Sequence, residues 1–292
     1  MRRIKELIIE KSLLSSALVT IAVTIGIILV LAFEAFLFFK EVPILDFLTD
    51  TQWTPLFTEK HYGILPLLSG TLLTTFIAIS VALPIGLSIS IYLSEYAPRS
   101  FRKTIKPLLE LLAAVPSVVY GFFALVVVTP YLQQFIPGLS GFNSLSAGIV
   151  MGIMIIPFVS SLSEDALFAV PKALREASYG MGATQLQTAF KVVVPAASSG
   201  IIVSIILAIS RAIGETMIVA IAAGQQPRLT FDPTVPVETI TAYIVQVSLG
   251  DVPHGSLEYR TIFAAGITLF VFTFLLNTVS FRIRKKYREK YE

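Results

Sequence analysis

The chain contains no cysteine and only two histidines, His61 and His254. That excludes disulfides, Cys-ligated metals and thiol nucleophiles, and it leaves little for a metal or acid–base centre. Charge is scarce as well. Asp, Glu, Lys and Arg make up 14 % of the 292 residues, against about 25 % in soluble domains. No Gly-x-x-x-x-Gly-Lys-Ser/Thr phosphate loop occurs, so any nucleotide chemistry belongs to another chain. No pair of acids lies within an apolar run, which disfavours a membrane-embedded enzyme.

Apolar residues are abundant, at 55 % and a mean hydropathy of +0.80. Uncharged runs cover Ser12–Phe33 (22 residues), Tyr62–Ser94 (33), Leu111–Ser163 (53) and Thr261–Phe281 (21). Crossing about 30 Å of hydrocarbon takes about 20 apolar residues, so this pattern predicts an all-α polytopic membrane protein. The first run is longer than a cleavable signal and lacks a small-residue cleavage site, so it reads as a retained anchor. The 53-residue run divides at Gln133–Asn143, where Pro137, Gly138 and Gly141 supply turn formers. Six spans result, at about 12–39, 67–93, 108–132, 145–163, 198–224 and 262–281, in one transmembrane domain over 1–292.

The cations orient these spans. Seventeen of the 22 Lys and Arg residues fall in the N-terminus, loop 94–107, loop 164–197 and the tail. Four (Lys40, Lys60, Arg228, Arg260) fall in the alternate segments, which include external loops 40–66 and 225–261, and Arg211 lies inside a span. The positive-inside rule then places both termini in the cytoplasm of a multi-pass cell-membrane protein. The basic residues flank spans and face lipid headgroups, so the sequence pI of about 9.0 does not imply nucleic acid.

Loop 164–197 carries helical signals. Pro171 suits a first turn, Lys172, Arg175 and Glu176 form a polar face, Gly180 and Gly182 stop the helix, and Thr184 can cap a second helix from Gln185 to Val194 before Pro195. The expected unit is a helix–turn–helix on the inner membrane surface; its bland reading is an ordinary amphipathic connection. In the fifth span, Arg211 and Glu215 share a helix face at a spacing of four. Charges at mid-bilayer cost about 2.5–3.5 kcal/mol each on insertion scales and usually face a cavity or protein interior. The Arg fork suits a tetrahedral oxyanion, so Arg211 is the candidate anion contact and Glu215 its holder. A structural ion pair is the alternative. Pro84, Pro116 and Pro157 mark possible kinks, and Pro116-Ser117-Val118-Val119-Tyr120-Gly121 could present polar groups to an anion or merely pack.

The loop reads Glu176-Ala177-Ser178, then Gly182, then Val192-x-Val194-Pro195. It resembles the cytoplasmic loop motif of ABC-importer permeases, with Ser in the third position and Val at both aliphatic positions. That resemblance implies a type I ABC-importer permease fold. It also implies an ATPase-coupling role for Glu176, Ala177, Ser178, Gly182 and Pro195. Further stretches, Tyr62-Gly63-Ile64-Leu65-Pro66, Tyr92-Leu93-Ser94-Glu95-Tyr96-Ala97-Pro98, Pro116–Gly121, Arg211–Met217 and Glu238–Ala242, resemble phosphate-specific permeases of the PstC type. The Trp53-Thr54-Pro55 approach to span two favours that type over its PstA-type partner. The resemblance implies phosphate translocation along Arg211, Glu215, Thr216, Ser117 and Tyr120. It implies a PstA-type permease, two PstB-type ATPases that carry ATP and Mg, and a PstS-type binding protein received by loops 40–66 and 225–261, with Trp53 as an interfacial aromatic. No cofactor or metal is expected in this chain, and membrane lipid is an expected partner. A sulfate or molybdate permease stays open as an alternative, as does an anion channel or secondary transporter.

Overall fold

The structure, a computed structural model, describes residues 2–286. Its helices in chain order are α1 (Arg2–Glu41), α2 (Ile44–Thr49), α3 (Leu65–Ile91), α4 (Arg99–Ala114), α5 (Ser117–Phe123), α6 (Thr129–Gln133) and α7 (Ser144–Phe168). There follow α8 (Lys172–Gly180), α9 (Gln185–Thr188), α10 (Val194–Ala196), α11 (Ser198–Ile213), α12 (Met217–Ala222), α13 (Ile240–Leu249) and α14 (Leu257–Lys286). Wider π-type turns continue α3 over Tyr92–Tyr96 and join α5 to α6 and α9 to α10. Among the described residues, the only β pairing is a single antiparallel bridge between Trp53 and Tyr62. The tail cations Arg288 and Lys290 lie outside the described residues.

Helices α3 and α7 form the centre, with α11 against both. Lipid tails are as apolar as leucine, so helices in a bilayer associate by close backbone approach rather than by hydrophobic burial. Ala78, Ala82 and Gly86 on α3 and Gly148 and Gly152 on α7 supply small residues four apart. A Cβ at Gly148 would stand 2.7 Å from the Ile77 side chain, and one at Gly152 2.7 Å from the Ala78 carbonyl oxygen. On the flank, α1 pairs with α14, and Arg260 reaches Glu34 at 3.5 Å and Glu41 at 3.1 Å.

Among the described residues, four helices are long and apolar enough to cross a membrane, or up to six if each bent pair is one span. The bent pairs lie where spans three and five were expected. Residues 99–114 and 117–133 meet at 82°, and residues 185–196 and 198–213 at 71°. The expected span 108–132 therefore crosses a break. A residue before proline is pushed out of the α region, and Val115 is extended with ψ 129°. Pro84 and Pro157, in contrast, sit inside helices that run on through them. The expected span 198–224 is interrupted at Gly214–Thr216, between α11 and α12.

Two expectations about loops change. Helix α7 continues to Phe168, so Glu164 belongs to that helix rather than to the following connection, and it is buried. Trp53 is 1 % exposed rather than interfacial. It meets Phe47 and Tyr243 edge-on at 6.2 and 5.0 Å, because the 53–62 hairpin folds back onto α13.

Candidate functional site

Two sites emerge, one at the break between α11 and α12 and one on the α8–α10 connection. At the break, α11 ends at Ile213 with Gly214 as its cap. Glu215 then turns its carboxylate back: Arg211 Nη1 donates to Oε2 at 2.9 Å, and the Met217 backbone N–H donates to Oε1 at 3.2 Å. The Thr241 hydroxyl donates to the Glu215 carbonyl at 2.6 Å, tying the break to α13. Burial is lopsided, with the Glu215 side chain 2 % exposed and that of Arg211 48 % exposed. A buried carboxylate with both oxygens hydrogen-bonded is held rigidly. The guanidinium it anchors keeps donors free on an accessible face. Ser210 Oγ, one residue earlier, is buried with no hydrogen-bond partner within the described residues.

Helix α5 brings two further candidates beside this break. Gly121 lets α5 approach α12 closely: a Cβ there would lie 3.1 Å from the Met217 carbonyl oxygen. Ser117 opens α5 and is half-buried. The Tyr120 hydroxyl donates to the Leu112 carbonyl at 2.8 Å, so it clamps the α4–α5 bend. Thr216 donates to the Gly214 carbonyl at 3.2 Å. Arg211, Glu215 and Thr216 thus form one unit with α12, and Ser117 and Tyr120 stand on the helix packed against it.

Glu238, which the sequence offered only as part of a longer run, is buried on the connection before α13. It lines a cavity of about 280 Å³ with Trp53, Tyr243 and Gln246. Neither its Oε1 nor the Trp53 Nε1 has a hydrogen-bond partner among the described residues. Burial raises the carboxyl from 4.5 to about 8. Because the folded value lies above the unfolded one, Glu238 does not oppose folding below pH 4.5 and opposes it increasingly up to pH 8. The slope is at most about 1.4 kcal/mol per pH unit. Glu238→Gln is neutral at every pH, so its thermal unfolding midpoint should gain on the native protein between pH 5 and 8 and level off above. Parallel pH profiles for the two proteins would contradict this burial effect.

The α8–α10 connection is a built helix pair. Pro171 precedes α8 as its N-cap. At its end, Gly182 N–H donates to the Tyr179 carbonyl at 2.9 Å and Ala183 N–H to the Ser178 carbonyl at 3.2 Å, the two bonds of a Schellman stop. That stop needs a left-handed residue, and Gly182 has φ +83°. Thr184 and Gln187 form a reciprocal capping box on α9. The Ser178 and Thr188 hydroxyls pair at 2.9 Å and lock α8 to α9. Pro195 lies in α10, at the 71° bend into α11. Glu176, Ala177 and Gly182 are exposed, and beside them Met181 is 89 % exposed, with Tyr179, Leu186 and Phe190 also open. Exposed large apolar side chains on one short helix pair suit a contact surface.

Underneath, Arg175 fastens this pair to the helices. Its Nε and Nη2 donate to the two Glu95 oxygens at 3.1 and 2.8 Å, Nη1 to the Val170 carbonyl at 2.6 Å and Nη2 to the Leu167 carbonyl at 2.9 Å. Gln185 donates to the Glu95 backbone carbonyl at 2.5 Å. Nearby, Glu164 pairs with Arg102 and, at 3.0 Å, with Lys106. Sequence reasoning passed over Glu95 and Glu164. Each is the first acid after a long uncharged run, and that placement was the available signal. No group of three metal-type ligands converges among the described residues.

Known proteins share this architecture. The family described as binding-protein-dependent transport system inner membrane component matches residues 82–289. The probable ABC transporter permease protein YqgH of Bacillus subtilis (strain 168) is 37 % identical over 262 residues, covering 89 % of this chain and 84 % of its own. The phosphate transport system permease protein PstC of Mesorhizobium japonicum is 37 % identical over 254 residues, covering 80 % and 76 %. Among solved structures, a bacterial alginate ABC transporter bound to its periplasmic protein aligns with TM-score 0.58 at 19 % identity, over 87 % of this chain and 88 % of that one. The inward-facing MetNI methionine ABC transporter aligns with TM-score 0.55 at 19 % identity, over 77 % and 94 %. At that identity the likeness establishes the fold, an all-α multi-pass permease of the ABC-importer kind. The chain belongs to the family of binding-protein-dependent transport system inner membrane components.

Proposed function

We propose that this chain is the phosphate-translocating permease subunit of an ATP-driven importer. The observation that carries the reading is a span broken at Gly214–Thr216, where buried Glu215 aims the half-exposed Arg211 fork. A fixed bidentate donor in a low-dielectric passage recognises an oxyanion, and the PstC-named relatives supply phosphate as its identity. Both termini face the cytoplasm, because the Lys and Arg residues concentrate on that side. The exposed face of α8 and α9, with Glu176, Ala177 and Gly182, docks an ATPase subunit that holds ATP and Mg. The second permease is PstA-type and the delivering protein PstS-type, received by the 40–66 and 225–261 segments. Sulfate or molybdate import is the competing reading.

The test is uptake of labelled phosphate into vesicles carrying the assembled importer. Uptake should require ATP and persist in excess sulfate. Competition by sulfate would shift the cargo to another oxyanion, and uptake without ATP would indicate a channel or secondary transporter. In the same preparation, Glu176→Lys should abolish co-purification of the ATPase; full retention would remove this face as its docking surface.

A further inference from the structure

We propose that the basic cleft between α4 and the adjoining ends of α3 and α7 seats the phosphate of an anionic phospholipid. The reading rests on the proposed orientation for its leaflet but not for its chemistry. The cleft encloses about 600 Å³, and Arg99, Arg102, Lys103, Lys106 and Lys172 line it. Glu110 is the one acidic side chain among the described residues that line it.

Two of the five cations are already matched. Arg102 pairs with Glu164, and Lys106 reaches Glu164 at 3.0 Å and Asp165 at 2.7 Å. Burial alone would lower the Lys106 ammonium, yet hydrogen bonds to Asp165 and Glu164 carry it above its ordinary value. Arg99, Lys103 and Lys172 are exposed and have no ion pair among the described residues. Three uncommitted cations beside one acid attract an anion, and cationic pockets at the cytoplasmic ends of spans suit phospholipid headgroups.

The rest of the cleft selects lipid over a free anion. Leu93, Pro107 and Phe168 form its apolar wall, and Arg102 lies over the Phe168 ring at 4.1 Å. Helix α4 buries none of its residues and leaves Phe101, Leu108, Leu111 and Leu112 exposed. It turns 82° from the segment that follows. If that segment crosses the bilayer, α4 lies along the surface with apolar side chains down and cations at headgroup level, as amphipathic interfacial helices do. Acyl chains then have an apolar stripe beside the cations, which a free phosphate would not use.

The experiment reconstitutes the assembled importer in phosphatidylcholine vesicles containing phosphatidylglycerol. It then measures by native mass spectrometry the phosphatidylglycerol that survives detergent extraction. The native complex should retain it, and Arg99→Gln/Lys103→Gln/Lys172→Gln should retain about tenfold less or lower. A control that neutralises Lys40, Lys60 and Arg228 at the opposite end should retain it fully. Each single substitution in the cleft should weaken retention severalfold, which keeps the test decisive should the triple variant fail to assemble. Equal retention by the cleft variants, equal loss in the control, or displacement of the lipid by inorganic phosphate would each overturn the proposal. Both leaflets of these vesicles carry the lipid, so the outcome does not depend on which end faces the cytoplasm, nor on the cargo.

Discussion

Arg211→Gln is expected to reduce ATP-driven phosphate uptake by at least about tenfold, the equivalent of one lost charge-assisted hydrogen-bond pair at about 1.5–3 kcal/mol. The physical reason lies in the asymmetry of the pair: Glu215 is 2 % exposed and Arg211 48 % exposed. Glutamine keeps much of the arginine's length but not its charge or fork. The substitution also leaves Glu215 buried without its cation, and breaking a buried pair from one side costs about 3–5 kcal/mol. Loss of uptake could then reflect poor assembly. Arg211→Gln/Glu215→Gln removes both charges, keeps the Met217 N–H satisfied by an amide oxygen, and should assemble. It should still fail to transport. Arg211→Lys, a point charge without a planar fork, should fall between. Near-normal uptake by the double variant in an assembled complex would reduce the pair to a structural lock between α11 and α12.

The second large effect is expected at Arg175. Its guanidinium makes two bonds to Glu95 and one each to the Val170 and Leu167 carbonyls, and the Glu95 side chain is 4 % exposed. One side chain therefore joins α8, the end of α7 and the π-type turn after α3. On the proposed docking role of α8, this junction is a direct side-chain link from its face to the central α3–α7 pair. Arg175→Ala strands a buried carboxylate, again a matter of about 3–5 kcal/mol, and frees α8 from α3. Phosphate moved per ATP hydrolysed should fall by about tenfold while ATPase binding persists, since Glu176 and Ala177 are untouched. Arg175→Lys should restore part of that ratio. If transport and hydrolysis fall in proportion, Arg175 only stabilises the loop and transmits nothing.

Much of this site was legible from residue types because its chemistry is local. Arg211 and Glu215 stand four apart in an apolar segment, and they pair at 2.9 Å, although Glu215 lies just past the end of α11 rather than on the expected helix face. Gly182 was readable as a helix stop, and it adopts the left-handed φ that a Schellman ending requires. Thr184 was readable as a cap, and Gln187 completes its capping box. The breaks were less legible. Three prolines in apolar runs looked alike, yet only Pro116 sits at a bend; Pro84 and Pro157 are held in continuous helices by their neighbours. Glu95 and Arg175 lie 80 residues apart, a pairing that no local pattern encodes.

The residues alone determined that the chain is membrane-embedded and helical, because a 53-residue uncharged run has no other stable home than lipid or protein interior. They also determined the spacing of the Arg–Glu pair and the stops and caps of the α8–α9 unit, all set within one or two helical turns. Only the tertiary structure decided which partner is buried. Glu215 is enclosed and Arg211 left accessible, and Thr241 of α13 is hydrogen-bonded to the Glu215 carbonyl at the break. It likewise decided that Trp53 faces the core, that α4 turns 82° from the segment that follows it, and that three of its cleft's five cations have no acidic partner among the described residues. Burial and charge balance depend on what the fold brings alongside, and periodicity along the chain does not record that.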